Sequence, residues 1–93
     1  MIRTAGDTLS VEGPMTLAGA SALLAEGAAA IKASCRRVDL ASVTAVDSSG
    51  LAVVFGWIRA ARSDGFPLSI VNPPQNLLSL AQVYGVADLL PLG

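Results

Sequence analysis

The chain contains no histidine and only one cysteine. A Ser-His-Asp constellation is therefore out of reach, and so is a Cys-His nucleophile pair. Zinc sites built from cysteine and histidine fail on count. The lone Cys35 can form no internal disulfide, which fits a reducing compartment. Cationic residues are few: Lys32 is the only lysine, and Arg36-Arg37 is the only adjacent basic pair. With a net charge of −1 and a pI near 5.0, the chain lacks the clustered Lys and Arg that nucleic-acid phosphates require. Phosphate-cradling GxxxxGK[ST] and GxGxxG loops are missing too. The seven carboxylates are spread with no pair at a catalytic spacing. This inventory points away from an enzyme, a metal site, a bound cofactor and a nucleic-acid partner.

Charge of either sign is scarce. Charged residues make up 14% of the chain, against roughly 25% in ordinary soluble domains. Apolar residues make up 53% of the 93 residues. A chain of this length forms one domain, residues 1–93, with a modest core. Too little charge remains to dress the whole surface, so some apolar surface is expected to meet another protein. Met1-Ile2-Arg3-Thr4 leads into a polar turn rather than an apolar targeting segment. The stretch from Met15 to Ile31 is rich in Ala and Gly and carries Glu26, short of the roughly 20 strongly apolar residues of a membrane span. The chain reads as soluble and cytoplasmic.

Hydrophobic periodicity organises the chain as strand, helix, strand, helix, strand, helix. Thr8-Leu9-Ser10-Val11-Glu12 alternates polar and apolar as a half-buried strand does, and Gly13-Pro14 is expected to end it. Thr16 is placed as N-cap of a helix from Leu17 to Ala33, with Ala20, Leu23, Leu24, Ala28 and Ile31 as its buried stripe. Gly19 and Gly27 weaken that helix by about 1 kcal/mol each relative to alanine, a cost that close packing against a neighbour would explain. Arg36 to Ala41 reads as a short strand, and Ser42 to Val46 as a crossing segment. A second helix is expected from Ser48 to about Ser63, with Leu51, Val54, Phe55 and Ile58 toward the sheet and Gly65 closing it. Leu68 to Val71 is the next strand, broken by Asn72-Pro73-Pro74, which starts a third helix. Leu77, Leu78, Leu80 and Ala81 give that helix its apolar face and Gly85 ends it; spacing does not choose between core and rim for Tyr84. Val86 to Leu90 is expected to add a last short strand or turn, and the N-terminal residues an edge strand. Helical crossovers imply largely parallel pairing. The fold class is a small α/β domain with a mixed, mainly parallel sheet of about four to five strands covered by helices.

The most informative stretch is Val46-Asp47-Ser48-Ser49-Gly50-Leu51. A carboxylate and two hydroxyls stand where the second helix begins, and the N–H groups of a helix start favour negative charge. Such a turn serves to cap the helix, to accept a phosphate, or to present a polar spot within an apolar docking face. Ser and Asp are preferred caps, worth about 1 kcal/mol. The helix behind them is apolar beyond its core stripe: Val53, Gly56, Trp57 and Ala60 lie on or near the side opposite Leu51, and Arg59 and Arg62 carry charge only in its second half. A helix apolar all round is buried on both sides. Trp57, the only tryptophan, is of the type enriched in interface hot spots; the competing reading places it in a second core layer.

The same residues carry a resemblance. Val46-Asp47-Ser48-Ser49-Gly50-Leu51, after a Val38-Asp39-Leu40 strand and before a helix, resembles the STAS domain, a family that includes anti-sigma factor antagonists and the cytoplasmic domains of sulfate transporters. Gly6-Asp7-Thr8-Leu9, Asp39-Leu40-Ala41-Ser42, Asn72-Pro73-Pro74 and the Leu-rich third helix fall in family order over nearly the whole chain. Shortness, the Leu80-Ala81-Gln82-Val83-Tyr84-Gly85 helix end and the Ala87-Asp88-Leu89-Leu90-Pro91 tail make it most similar to MlaB-like proteins. These are small subunits of a phospholipid-transporting ABC complex that maintains outer-membrane lipid asymmetry.

The resemblance implies a non-enzymatic accessory subunit that binds and stabilises or regulates an MlaF-like ATPase subunit, meeting the inner membrane only through that complex. Ser48 is then the hydroxyl residue that contacts the ATPase. For anti-sigma factor antagonists the corresponding implication is a partner-switching regulator that binds an anti-sigma factor kinase and is phosphorylated at Ser49. Ser48 is the second candidate for phosphorylation. Ser48, Ser49, Val53 and Trp57 are the expected partner-binding residues, with Asp47 capping or orienting the helix start. A lipid or small-ligand carrier with an apolar groove beside the first helix is the third reading.

Overall fold

The computed structural model describes residues Met1–Gly93. Strand β1 (Ile2–Ala5) turns at Gly6-Asp7 into β2 (Thr8–Met15), and the two pair antiparallel from Ile2 opposite Val11 to Ala5 opposite Thr8. A 3-10 turn (Leu17–Gly19) leads into α1 (Ala20–Ala33), followed by β3 (Arg37–Val46), α2 (Ser48–Ser63), β4 (Ser69–Val71), α3 (Gln75–Val83) and a closing 3-10 turn (Ala87–Leu89). The sheet order is β1-β2-β3-β4. β2 and β4 flank β3 in parallel, as expected for strands joined by helical crossovers. Leu92 adds a single parallel bridge to Ile70, the rudiment of a fifth strand.

Alternation decides which face of the sheet is covered. Leu9, Val11, Val38, Leu40 and Ile70 are buried, while the intervening Ser10, Glu12 and Asp39 stay at least partly in solvent. The polar face carries an Arg3–Glu12 ion pair at 2.9 Å, an exposed contact worth little on its own. The apolar face receives Leu51 and Val54 of α2, Leu77 and Ala81 of α3 and Ile31 of α1. No polar or charged residue is buried.

Two strand limits differ from the sequence expectation for one reason. β2 does not stop at Gly13-Pro14, and Ser42 to Val46 is strand rather than crossing segment. Between Ser10 and Glu12 the partner strand advances from Asp39 to Ser42, and between Gly13 and Pro14 it advances from Val43 to Ala45. β3 thus bulges out one extra residue at each place, and such bulges accommodate a proline that has no N–H for a regular ladder.

The second correction concerns α1. It begins at Ala20, and Thr16 makes no side-chain cap bond. Its buried residues are Leu23, Gly27 and Ile31, spaced by four, and Leu24 is turned outward with 40% exposure. The missing side chain at Gly27 is the reason. A Cβ there would overlap the indole of Trp57, which is fully buried between α1 and α2. The indole Nε1–H donates to the carbonyls of Leu23 and Leu24, each at 3.2 Å.

Trp57 and Val53, expected at a partner surface, therefore lie in the core of this chain. Trp57 has no exposed surface and Val53 has 4%. The side of α2 opposite the sheet is apolar because α1 covers it, so the burial on both sides is internal to this chain. α2 closes as expected: Gly65 N–H bonds to the carbonyl of Arg62 and Phe66 N–H to that of Ala61, the paired bonds of a Schellman motif. The same pair recurs after α3, from Gly85 to Gln82 and from Val86 to Ala81.

Candidate functional site

Strand β3 delivers the chain into α2 through one residue. Asp47 has extended backbone and is the N-cap of α2. Its Oδ1 accepts from Ser49 N–H at 2.8 Å and Gly50 N–H at 3.2 Å, two of the donors that a helix start leaves unpaired. Its Oδ2 accepts from Leu17 N–H at 3.1 Å. The Asp47 N–H in turn donates to the carbonyl of Met15 at 3.3 Å. Partial desolvation disfavours the charged carboxylate, but the N–H groups of Leu17, Gly50, Ser49 and Asp47 itself outweigh it and hold the pKa below the ordinary Asp value.

Gly50 explains why the motif needs a residue without a side chain. It is buried against the end of β2, and a Cβ there would overlap the Met15 carbonyl oxygen and press on Val46 Cγ1 at 3.0 Å. The obstacle is backbone, so it cannot swing aside. The helix start is thereby seated on the ends of β2 and β3, with Leu51 pointing into the core at 5% exposure.

Ser48 and Ser49 point away from that seat, but not into the same place. Ser48 is exposed and Ser49 half-buried. Ser48 lies at an open apolar cleft of about 350 Å³ with Leu51, Ala52, Phe55, Tyr84 and Val86. Ser49 lies at a cleft of about 300 Å³ between α1 and α2, with Ala20, Ser21, Leu24, Val53 and Arg59. The exposed ridge between the two clefts is Ala52. Four large apolar residues stand out on the elements around this turn: Leu17 at 75%, Leu24 at 40%, Val83 at 79% and Tyr84 at 57%.

The sequence-predicted residues thus divide. Asp47, Ser48 and Ser49 share the helix start, while Val53 and Trp57 belong to the core. The surface residues that sequence does not single out are Leu17, which spacing places at the start of the first helix, Leu24, which it places in the buried stripe, and Tyr84, for which it does not choose. The deciding signal was present at Gly27, since a glycine among the core positions of a helix leaves room for a large partner side chain.

Other chemistry is sparse. No group of three or more Cys, Asp and Glu side chains comes together as metal ligands would. Cys35 is buried; desolvation raises its thiol pKa, Asp7 adds to the rise, and Arg36 opposes it. Arg36 instead stacks on Phe66, its guanidinium carbon 3.4 Å from the ring centroid. No helix is long and apolar enough to cross a membrane.

A family model described as "Mlab, STAS domain" matches residues 2–91. The chain belongs to that family. Two solved structures share the STAS fold. The anti-sigma factor antagonist SpoIIAA in its unphosphorylated form aligns with a TM-score of 0.73 at 15% identity, covering 100% of this chain and 86% of that one. A putative anti-sigma factor antagonist from Thermotoga maritima aligns with a TM-score of 0.76 at 12% identity, covering 99% of this chain and 83% of that one. A comparison with curated proteins finds no match. The mixed, mainly parallel sheet with three helices is therefore a STAS fold, and the Asp47 turn is the start of the second helix of that fold.

Proposed function

We propose that this STAS domain is a non-enzymatic accessory subunit that binds, and so stabilises or regulates, the ATPase subunit of a phospholipid-transporting ABC complex. The observation that carries the reading is the surface around the start of α2. A capped, rigid helix start presents Ser48 and Ser49 among Leu17, Leu24, Val83 and Tyr84, large apolar side chains that the fold leaves outside its own core. Apolar side chains around a small polar centre match the anatomy of a protein–protein interface. The Mlab description of the family supports a transporter ATPase of the MlaF-like type as the partner. In this reading the chain works in the cytoplasm and meets the inner membrane only through its complex.

Affinity purification of the chain from its native organism tests the proposal. Recovery of an ABC ATPase together with its permease is the expected result. Recovery of a kinase without any ATPase overturns it and favours the second reading, an anti-sigma factor antagonist phosphorylated on Ser49. That alternative has its own support in the likeness of the fold to SpoIIAA and in the position of Ser49 in the first turn of α2. A phosphate adds about −1.5 to −2 charges at neutral pH, and a helix N-terminus accommodates it.

A further inference from the structure

We infer that Leu17 is a contact residue of the docking face and that the Asp47 carboxylate is the group that positions it. The inference rests on the docking reading above and extends it to a segment thirty residues upstream of the serine turn.

A helix cap needs one acceptor oxygen, and Asp47 uses only Oδ1 for that task. Asparagine caps helices as well as aspartate does. What asparagine cannot supply is a second acceptor, because its other terminal atom is an NH2 donor. In this chain the second oxygen has a partner of its own, the N–H of Leu17 at 3.1 Å. That N–H opens the 3-10 turn Leu17–Gly19, whose own N-cap residue, Thr16, gives no side-chain bond and which contains no buried residue. So the turn buries no side chain of its own. It is held at its start by a carboxylate that belongs to the serine helix, beside the Asp47 N–H bond to Met15.

The tie has a consequence for the surface. Leu17 is 75% exposed, so the fold gains little from it internally. Leu17, in the 3-10 turn, stands just before α1, on which Ser21 and Leu24 are exposed. Ser21 and Leu24 border the same cleft as Ser49. Fixing the turn therefore holds the exposed Leu17 beside the serine turn, and spares a partner the entropy of ordering it.

Asp47→Asn separates the two functions of the carboxylate. The expected result is that the Leu17 amide loses hydrogen-exchange protection roughly tenfold, while the Ser49 and Gly50 amides keep theirs. With a purified ABC ATPase subunit from the same organism as the probe, Asp47→Asn and Leu17→Ser should each weaken binding by roughly tenfold or more, with thermal unfolding of Leu17→Ser unchanged. Ser48→Arg, which places a bulky charge in the centre of the face, should abolish binding. An unchanged Leu17 amide in Asp47→Asn overturns the inference, and so does wild-type binding by Leu17→Ser when Ser48→Arg fails to bind. Wild-type binding by Ser48→Arg as well overturns the docking reading itself.

Discussion

Replacing Gly27 by alanine should destabilise this domain, although helix propensity alone predicts the opposite sign. Alanine in a helix interior is favoured over glycine by about 1 kcal/mol. Against that stands the indole of Trp57, whose Cε2, Nε1 and Cζ2 occupy the space that the new Cβ would enter. Trp57 is fully buried and donates to Leu23 and Leu24 carbonyls on the same helix, so it cannot move without parting from them. Overpacking of a filled core costs about 1–3 kcal/mol, and losing the indole hydrogen bond adds about 0.5–1.5 kcal/mol. After subtracting the propensity gain, a net loss of about 2 kcal/mol remains, equivalent to a fall in Tm of roughly 8–16 °C for a domain of this size. Urea unfolding followed by fluorescence reads the change directly, because Trp57 is the only tryptophan. Gly56→Ala is the matched control. There the obstructing atom is the Cδ1 of Leu24, a flexible side chain already 40% exposed, so the methyl can swing away and the variant should match or exceed wild type. A Gly27→Ala protein as stable as wild type would refute the wedge argument, and so would equal losses in both variants.

Three further outcomes follow from the site and the core. Because Asp47 has a lowered pKa, its stabilisation is present above the ordinary Asp value near 3.9 and is lost as pH falls through the depressed folded value. The urea midpoints of wild type and Asp47→Asn should therefore be furthest apart near pH 6 and converge toward pH 2; a gap independent of pH would remove the charge from the explanation. Trp57→Arg should lose near-UV circular dichroism and protease resistance, since it places an unpaired charge in the core; a folded variant that only fails to bind a partner would return Trp57 to the surface. Ser48→Asp should weaken binding of the ABC ATPase by roughly tenfold or more relative to Ser48→Thr, because a desolvated carboxylate has no partner in an apolar cleft. Equal, wild-type affinities would take Ser48 out of the interface.

Local chemistry made much of the fold legible. The Ser48–Ser63 helix, its glycine stop and the N-terminal edge strand appear where periodicity and capping place them. What local chemistry could not show was the partner of each apolar side chain. The bulges that carry β2 past Pro14 depend on the register of β3, which no window of β2 contains. Leu24 and Gly27 exchange their expected roles because the indole comes from residue 57. For the same reason the all-round apolar character of α2 pointed to a second protein when the covering element was α1. Asp47 was legible as a cap, but its bond to Leu17 spans thirty residues and has no local signature.

The serine pair reads in sequence as one turn with two candidate residues, and the fold places them at two clefts that share the Ala52 ridge. The cleft at Ser48 is lined by Leu51, Ala52, Phe55, Tyr84 and Val86 and contains no cation. Burying a doubly charged phosphate there would leave it without a counter-charge, and such a group costs several kcal/mol to desolvate. A partner that fills this cleft favours a bare hydroxyl. The cleft at Ser49 runs between two helices toward Arg59, the only charged residue among those lining either cleft. Introduced charge at Ser49 therefore meets a partly polar, open trough with an arginine at its border, whereas charge at Ser48 meets an apolar surface. Glutamate at each position separates the cases. If the ATPase seats on the Tyr84 side, Ser48→Glu should block binding and Ser49→Glu should reduce it less. If a partner seats on the Leu24 side, the order should reverse, and Arg59→Ala should alter the effect of Ser49→Glu but not that of Ser48→Glu. Equal losses at both serines would mean that the ridge at Ala52, not either cleft, is the centre of contact, and wild-type binding by both would take the turn out of the interface.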